Sequence, residues 1–268
     1  MARPHSGMIY GVNEDILRFC PSEKIRGSLS QLPPGLVIDV GALDGADAVN
    51  YARAGHEVIS FEASPSKSDR IRNFIAKASD VSQRISFHNV ALADKDGILP
   101  FYQSGDGSDQ DSLTRPPWFN EDKSMHVVDV PTKTLDFIVG NRNVTYLKID
   151  AQGNDPSVLR GGKALIGEKS VGIIQFEVAP NLSGTKTIGE DYVKIVHYLS
   201  ANGYMCYDCN FPLINKRNGI PFIQAIHIEI RIESLLERKF MFKGSNHGQW
   251  TNFVCLQQEW SPEASTYY

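Results

Sequence analysis

Nothing in this chain of 268 residues approaches the roughly 18 consecutive apolar residues of a membrane span, and its opening MARPHSGMIYG lacks the apolar centre of a secretory signal. A soluble cytoplasmic protein with no membrane partner is expected. Cysteine is scarce. The four, Cys20, Cys206, Cys209 and Cys255, are too few and too scattered for a disulfide framework, so reduced thiols are expected. Charge of one sign is also nearly absent as a surplus: the formal net charge is -4 and the sequence pI about 6.0, which provides no global field for a polyanion, and no nucleic-acid partner is expected. The chain has neither an internal repeat nor a low-complexity tract, and its one glycine-bearing turn after a strand, GALDGAD, lacks the G-x-G-x-x-G spacing that cradles a pyrophosphate.

What is present is ordinary globular material. Hydrophobic residues make up 41% and charged residues 22%, and the length suits one α/β domain over residues 36–268, preceded by a helical or irregular extension over 1–35. Apolar runs bounded by glycine, proline and polar punctuation mark strands at LVIDV, EVISF, RISFHNV, TYLKID, VGIIQFEV, YMCYDC and TNFVCLQQ, and VVDVPTKTLDFIVG reads as a short strand followed by a helix. Helical patterns fall between them at ASPSKSDRIRNFIAKA, where Ser64, Pro65 and Ser66 supply capping chemistry, at PSVLRGGKALIG and at EDYVKIVHYLSANG. Strands alternating with helices imply a mainly parallel sheet with ligands beyond the carboxyl ends of its strands. The polar stretch from Ala91 to Met125 reads as one long loop, and substrate-site loops are expected around 101–126 and 210–250. Cys206 and Cys209 form a C-x-x-C pair, but three positions apart on a strand they face opposite ways, which argues against zinc or redox chemistry.

The chemistry-bearing residues cluster at strand ends. Asp39 closes the first strand, Gly41 opens the turn and Gly45 starts the next helix, where missing side chains let a ligand approach the backbone. Glu62 ends the second strand, where a carboxylate can accept hydrogen bonds from both hydroxyls of a ribose. Asp39 has two readings, ligand organisation and a helix or turn cap. Asp150 follows LKI and Glu177 ends IIQFEV, on the same sheet edge. Each is a functional carboxylate or the partner of a loop or a basic residue, and two close carboxylates call for a shared proton, a nearby cation or a divalent metal.

VIDVGALDG, FEASP, NVALADKDG, TLDFIVG, LKIDAQGNDPSVLRGG and IIQFEV together resemble, in order, the FkbM family of O-methyltransferases over roughly residues 37–178. The resemblance implies a class I methyltransferase Rossmann-like fold, an α/β seven-stranded sheet whose final strand is antiparallel, and S-adenosylmethionine as cofactor. It places Gly41, Ala42 and Gly45 beside the methionine portion, Glu62 and Ala63 beside the ribose, and Asn89, Val90 and Ala91 on the adenine side, for which plain strand termination is the other reading. Asp39 would orient the cationic arm through water or a polar neighbour. Gln152 stands where the family carries an acidic residue, and it can still hydrogen-bond to cofactor or substrate. An antiparallel last strand brings NHGQW to the same rim, making His247 a candidate proton acceptor and Trp250 a flat surface for substrate. Ser112, in a serine-bearing segment similar to the family's, lines the acceptor pocket or forms a turn.

The reaction so implied is methyl transfer to a hydroxyl of a sugar, glycan or glycosylated small molecule, catalysed by positioning and by a base that takes the hydroxyl proton. Asp150 is the first candidate base, ahead of Glu177 and His247. Two alternatives belong to other classes. A nicotinamide-dependent oxidoreductase would share the acidic residue at 62, and a noncatalytic cofactor-binding interaction protein would fit the departure at Gln152.

Overall fold

The computed structural model describes residues 29–104, 111–115, 125–178, 186–208 and 251–259. In chain order these form β1 (Leu36–Val40), α1 (Ala46–Arg53), β2 (Glu57–Phe61), α2 (Pro65–Lys77), β3 (Ile85–His88), β4 (Ala91–Leu92), β5 (Gly97–Ser104) and β6 (Met125–Lys133). There follow α3 (Leu135–Val139), β7 (Val144–Ile149), α4 (Asp155–Arg160), α5 (Lys163–Gly167), β8 (Val171–Val178), α6 (Lys186–Ala201), β9 (Tyr204–Asp208) and β10 (Thr251–Gln257).

Seven strands make the main sheet in the order β3-β2-β1-β7-β8-β10-β9. All neighbours are parallel except β10, which runs antiparallel to β8 and β9. This is the class I methyltransferase Rossmann-like arrangement. The central strands read as mostly apolar runs because both faces are covered. On one face Ile38, Leu147, Ile149, Phe176 and Phe253 pack with Val158, Leu165, Tyr192 and Leu199 of α4, α5 and α6. On the other, Val37, Val58, Tyr146, Ile173 and Val254 meet Ala48, Val49, Ile71 and Ile75 of α1 and α2.

The PSVLRGGKALIG pattern is broken at its paired glycines into α4 and α5. Glycine is required at 161, where a Cβ would lie 2.1 Å from the carbonyl oxygen of Ala93. The stretch read as one long loop contains two strands. β5 pairs antiparallel with β6, and β6 pairs with β4, giving a second sheet of three strands. Of the loop region around 101–126, residues 101–104 belong to β5, 125–126 belong to β6 and 111–115 are described between them, while 210–250 lie outside the described residues.

The expectation of reduced thiols is corrected for two cysteines. Cys206 on β9 and Cys255 on β10 are direct cross-strand partners with Cα atoms 3.9 Å apart, and they are joined as a disulfide. Cys20 and Cys209 lie outside the described residues. Among the described residues no helix is long and apolar enough to cross a membrane.

Candidate functional site

The carboxyl ends of β1, β2 and β7 leave two adjoining cavities. The first is lined by Glu62, Ala63, Val90, Ala91, Leu92 and Phe101 among others, the second by Ala42, Asp44, Asp47, Lys148, Gln175 and Asn252. Gly41, Leu43 and Asp150 line both. Gly41 makes this closeness possible. Its φ is +86°, and a Cβ there would stand 2.0 Å from the carbonyl oxygen of Asp150.

The turn after β1 is tied down amide by amide. Gly41 and Ala42 donate to the Phe61 carbonyl, Leu43 to Glu62 Oε2, Asp44 and Gly45 to the Ala42 carbonyl, and Ala46 to Asp44 Oδ1. A turn whose amides are all committed cannot serve as a phosphate nest. Gly45 takes φ +84°, abuts Ile71 and lines neither cavity.

Glu62 is buried in the wall of the first cavity and accepts from Leu43 N and Ser64 N, both at 2.9 Å. Each carboxylate oxygen has a second acceptor site, so a pair of hydroxyls can be met without displacing the turn. Val90 and Ala91 line the same cavity. Asn89 does not; its Nδ2 donates to the carbonyls of Glu62 and Ser64 at 2.7 and 3.2 Å and braces the loop between β2 and α2. Ser64 is the N-cap residue of α2 by position but its side chain does not cap the helix; it meets Ser66 Oγ and accepts from Gln103. Lys67 and Asp111 form a buried ion pair at 3.0 Å in the wall of the first cavity.

Asp39 reaches neither cavity. It is fully buried, accepting from Ser60 Oγ at 2.9 Å and pairing with Lys148 Nζ at 3.2 Å. Neither the cap nor direct ligand contact describes it, and its polar neighbour is itself a cation. Ser60, Asp39, Lys148 and Gln175 stand at one register across β2, β1, β7 and β8, forming a polar rung through an otherwise apolar sheet face. Burial pushes the Asp39 carboxyl up and Lys148 opposes the rise. For Lys148, burial alone would lower the ammonium, but the carboxylates of Asp39, Asp47 and Asp150 outweigh it and hold it above the ordinary lysine range. The sequence carried a signal for this pair: a lysine and an aspartate inside two apolar strand patterns, TYLKI and LVIDV, must be paired if both are buried.

Asp150 faces both cavities, and Gln152 Nε2 donates to its Oδ1 at 2.7 Å. An acid at position 152 would repel Asp150; the glutamine holds it. Gln152 has φ +49°, and its carbonyl accepts from Ser112 Oγ at 2.7 Å. Ser112 therefore anchors residues 111–115 to the β7–α4 turn, while its neighbours Asp111 and Leu113 are the ones that line the first cavity. Glu177 lines neither cavity. His247 and Trp250 lie outside the described residues, although Thr251, which follows them, pairs with Val178 at the expected edge. Among the described residues no group of three or more His, Cys, Asp or Glu side chains converges as a metal site.

Asp155, which carried no role in the sequence reading, is fully buried. Its Oδ1 accepts from the Glu177 amide at 3.0 Å and its Oδ2 meets no hydrogen-bond partner among the described residues. Burial first, and then the charge of Asp150, raise its pKa well above the ordinary aspartate value of 3.8. A raised carboxyl contributes stability that is complete below the unfolded value and lost as pH rises through the folded one. Asp155→Asn should therefore melt higher than the parent at neutral pH, by a margin that grows between pH 4 and 8. Thermal transitions across that range decide it, and parallel curves for the two proteins would remove Asp155 from the pH dependence.

A family model described as the methyltransferase FkbM domain matches residues 39–206. Among solved structures the chain is similar to methyltransferase FkbM from Methylobacillus flagellatus KT, with 16% identity and a TM-score of 0.44 over 64% of this chain and 39% of that one. It is similar to the O-methyltransferase from Bacillus cereus in complex with SAH, at 13% identity and a TM-score of 0.42 over 93% and 89%. A putative rRNA-methylase from Clostridium thermocellum is similar at 8% identity and a TM-score of 0.42 over 88% and 96%. The match thus spans well under half the length of the M. flagellatus chain. No curated protein matches.

Proposed function

We propose that this chain, which belongs to the FkbM family of S-adenosylmethionine-dependent methyltransferases, transfers a methyl group to a hydroxyl of a sugar, glycan or glycosylated small molecule. The observation that supports this reading best is the meeting of two cavities at Asp150, with Glu62 in the wall of the first and a charged, polar wall in the second. Glu62 would hold the ribose hydroxyls, Ala63, Val90 and Ala91 the rest of the adenosyl group, and the second cavity the amino-acid arm.

When bound, S-adenosylmethionine supplies an electrophilic methyl on a sulfonium. Asp150 would take the proton from the acceptor hydroxyl as the new C–O bond forms, since an alcohol attacks poorly until that proton is leaving. Gln152 would keep the Asp150 carboxylate in one orientation through the bond to Oδ1. The turn from Gly41 to Ala46, rigid because its amides are committed, would hold the electrophile in line without adjusting to it. Residues 111–115, and His247 and Trp250 from beyond the described residues, are the acceptor-side candidates. The same committed turn speaks against the nicotinamide alternative, whose pyrophosphate needs backbone donors.

Mass spectrometry with a methyl-labelled donor and a library of glycans and hydroxylated metabolites tests the proposal, the expected result being label on a hydroxyl oxygen. Donor binding with no transfer to any acceptor would favour the interaction-protein reading, and nicotinamide binding the oxidoreductase. Glu62→Gln should weaken the demethylated product by roughly 10-fold or more in calorimetry, because an amide places a donor where two N–H groups and two hydroxyls seek acceptors. Unchanged affinity in the folded variant would move the ribose elsewhere.

A further inference from the structure

The amino-acid arm of the donor ends in an ammonium and a carboxylate. In the second cavity the ammonium has Asp44, Asp47 and Asp150 to choose from. The carboxylate has less. Backbone amides at a strand-to-helix turn ordinarily receive such an anion, but here every amide from Gly41 to Ala46 donates within the protein. Among the described residues lining that cavity, the one cation is Lys148.

Lys148 rises from β7 between Asp39 and Asp47, each at 3.2 Å, and its third contact is the Gly41 carbonyl at 3.4 Å. An ammonium has three donors, and a bond of that length is at the outer limit of useful geometry. The donor spent on Gly41 is therefore the one that can turn to a stronger acceptor. Asp39, itself fixed by Ser60, keeps the ammonium from withdrawing or swinging, and 11% exposure of the lysine side chain leaves its tip reachable from the cavity.

We propose that Lys148 binds the α-carboxylate of the donor's amino-acid arm, with Asp39 and Ser60 as positioning residues that hold it in place; this rests on the donor site proposed above. The rung across the sheet is then the fixed base of a binding group, and the acidic residue of the first strand acts on the donor through a cation.

The test compares three adenosyl compounds by calorimetry on the full chain. S-Adenosylmethionine has the whole arm, its decarboxylated form keeps the ammonium and sulfonium, and 5′-methylthioadenosine has no arm. Wild type should prefer the first over the second by roughly 10- to 100-fold, the range of a charge-assisted hydrogen bond. In Lys148→Met that preference should fall to within about 3-fold while 5′-methylthioadenosine binds as before. Asp39→Asn/Lys148→Met removes the buried charge left behind by the single change, and it should give the same collapse in a chain of normal thermal transition. A preference retained in the folded double variant overturns the assignment of Lys148, as does an equal loss for all three compounds. If wild type binds none of them, the donor site itself is wrong and the assignment falls with it.

Discussion

Asp150→Asn should lose about 10²–10⁴-fold in turnover, the usual scale of general-base catalysis, while binding the donor within a few-fold of the parent. The amide nearly preserves the volume of the carboxylate, and its oxygen can still accept from Gln152 Nε2, which now bonds Oδ1 at 2.7 Å. What disappears is the basicity at the one carboxylate shared by the two cavities. Single-turnover assays separate the step from product release, and a normal thermal transition shows that the β7–α4 turn is intact. Turnover within a few-fold of wild type would show that the hydroxyl proton leaves by another route, with His247 the next residue to change.

Gly41→Ala should be the most damaging single substitution at the site. A φ of +86° costs a residue with a Cβ about 1–3 kcal/mol, and the new atom would sit 2.0 Å from the Asp150 carbonyl oxygen. No side-chain rotation relieves that overlap, because the Cβ position is fixed by the backbone and its neighbour is a backbone carbonyl. β1 and β7 must separate at their carboxyl ends, at a total cost of roughly 3–5 kcal/mol, which lowers the melting temperature by about 10 °C. Donor binding should vanish in the same variant, since the turn and Asp150 move apart. Gly97→Ala is the control: its Cβ would meet nothing nearer than Thr132 Oγ1 at 3.7 Å. A melting temperature for Gly41→Ala equal to that of the control would mean that the turn absorbs the methyl.

The fold was legible wherever one segment decides its own state. LVIDV, TYLKI and VGIIQFEV are long apolar runs with glycine or polar punctuation, and a strand covered on both faces leaves no other pattern. The turn after β1 and the acid after β2 were legible as cavity lining because a glycine-bearing turn and an acid at a strand end are local features of the segments themselves. What stayed hidden depends on which strands become neighbours. Asp39 reads as an open-ended carboxylate until the register places Lys148 beside it. Cys206 and Cys255 lie 49 residues apart, and only the pairing of β9 with β10 sets them face to face. Of the hairpin of β5 and β6, VVDV in β6 read as a strand while β5 was masked for a local reason. Its inward face carries Gln103 and its outward face Ile98 and Pro100, so polar and apolar residues do not alternate cleanly. Asn89 shows the limit for side chains, since an amide at a strand end serves ligand or loop equally well in sequence.

The position of β10 bears on how the chain is made. Its seven residues follow every other described strand in sequence, yet they lie inside the sheet, and among the described residues β9 has no other partner there. Among the described residues only Thr251–Gln257 cover that apolar edge of β8, and 42 residues separate the end of β9 from the start of its partner. A nascent chain stalled before Thr251 therefore holds an open strand edge, the kind of surface that recruits other chains and holding chaperones.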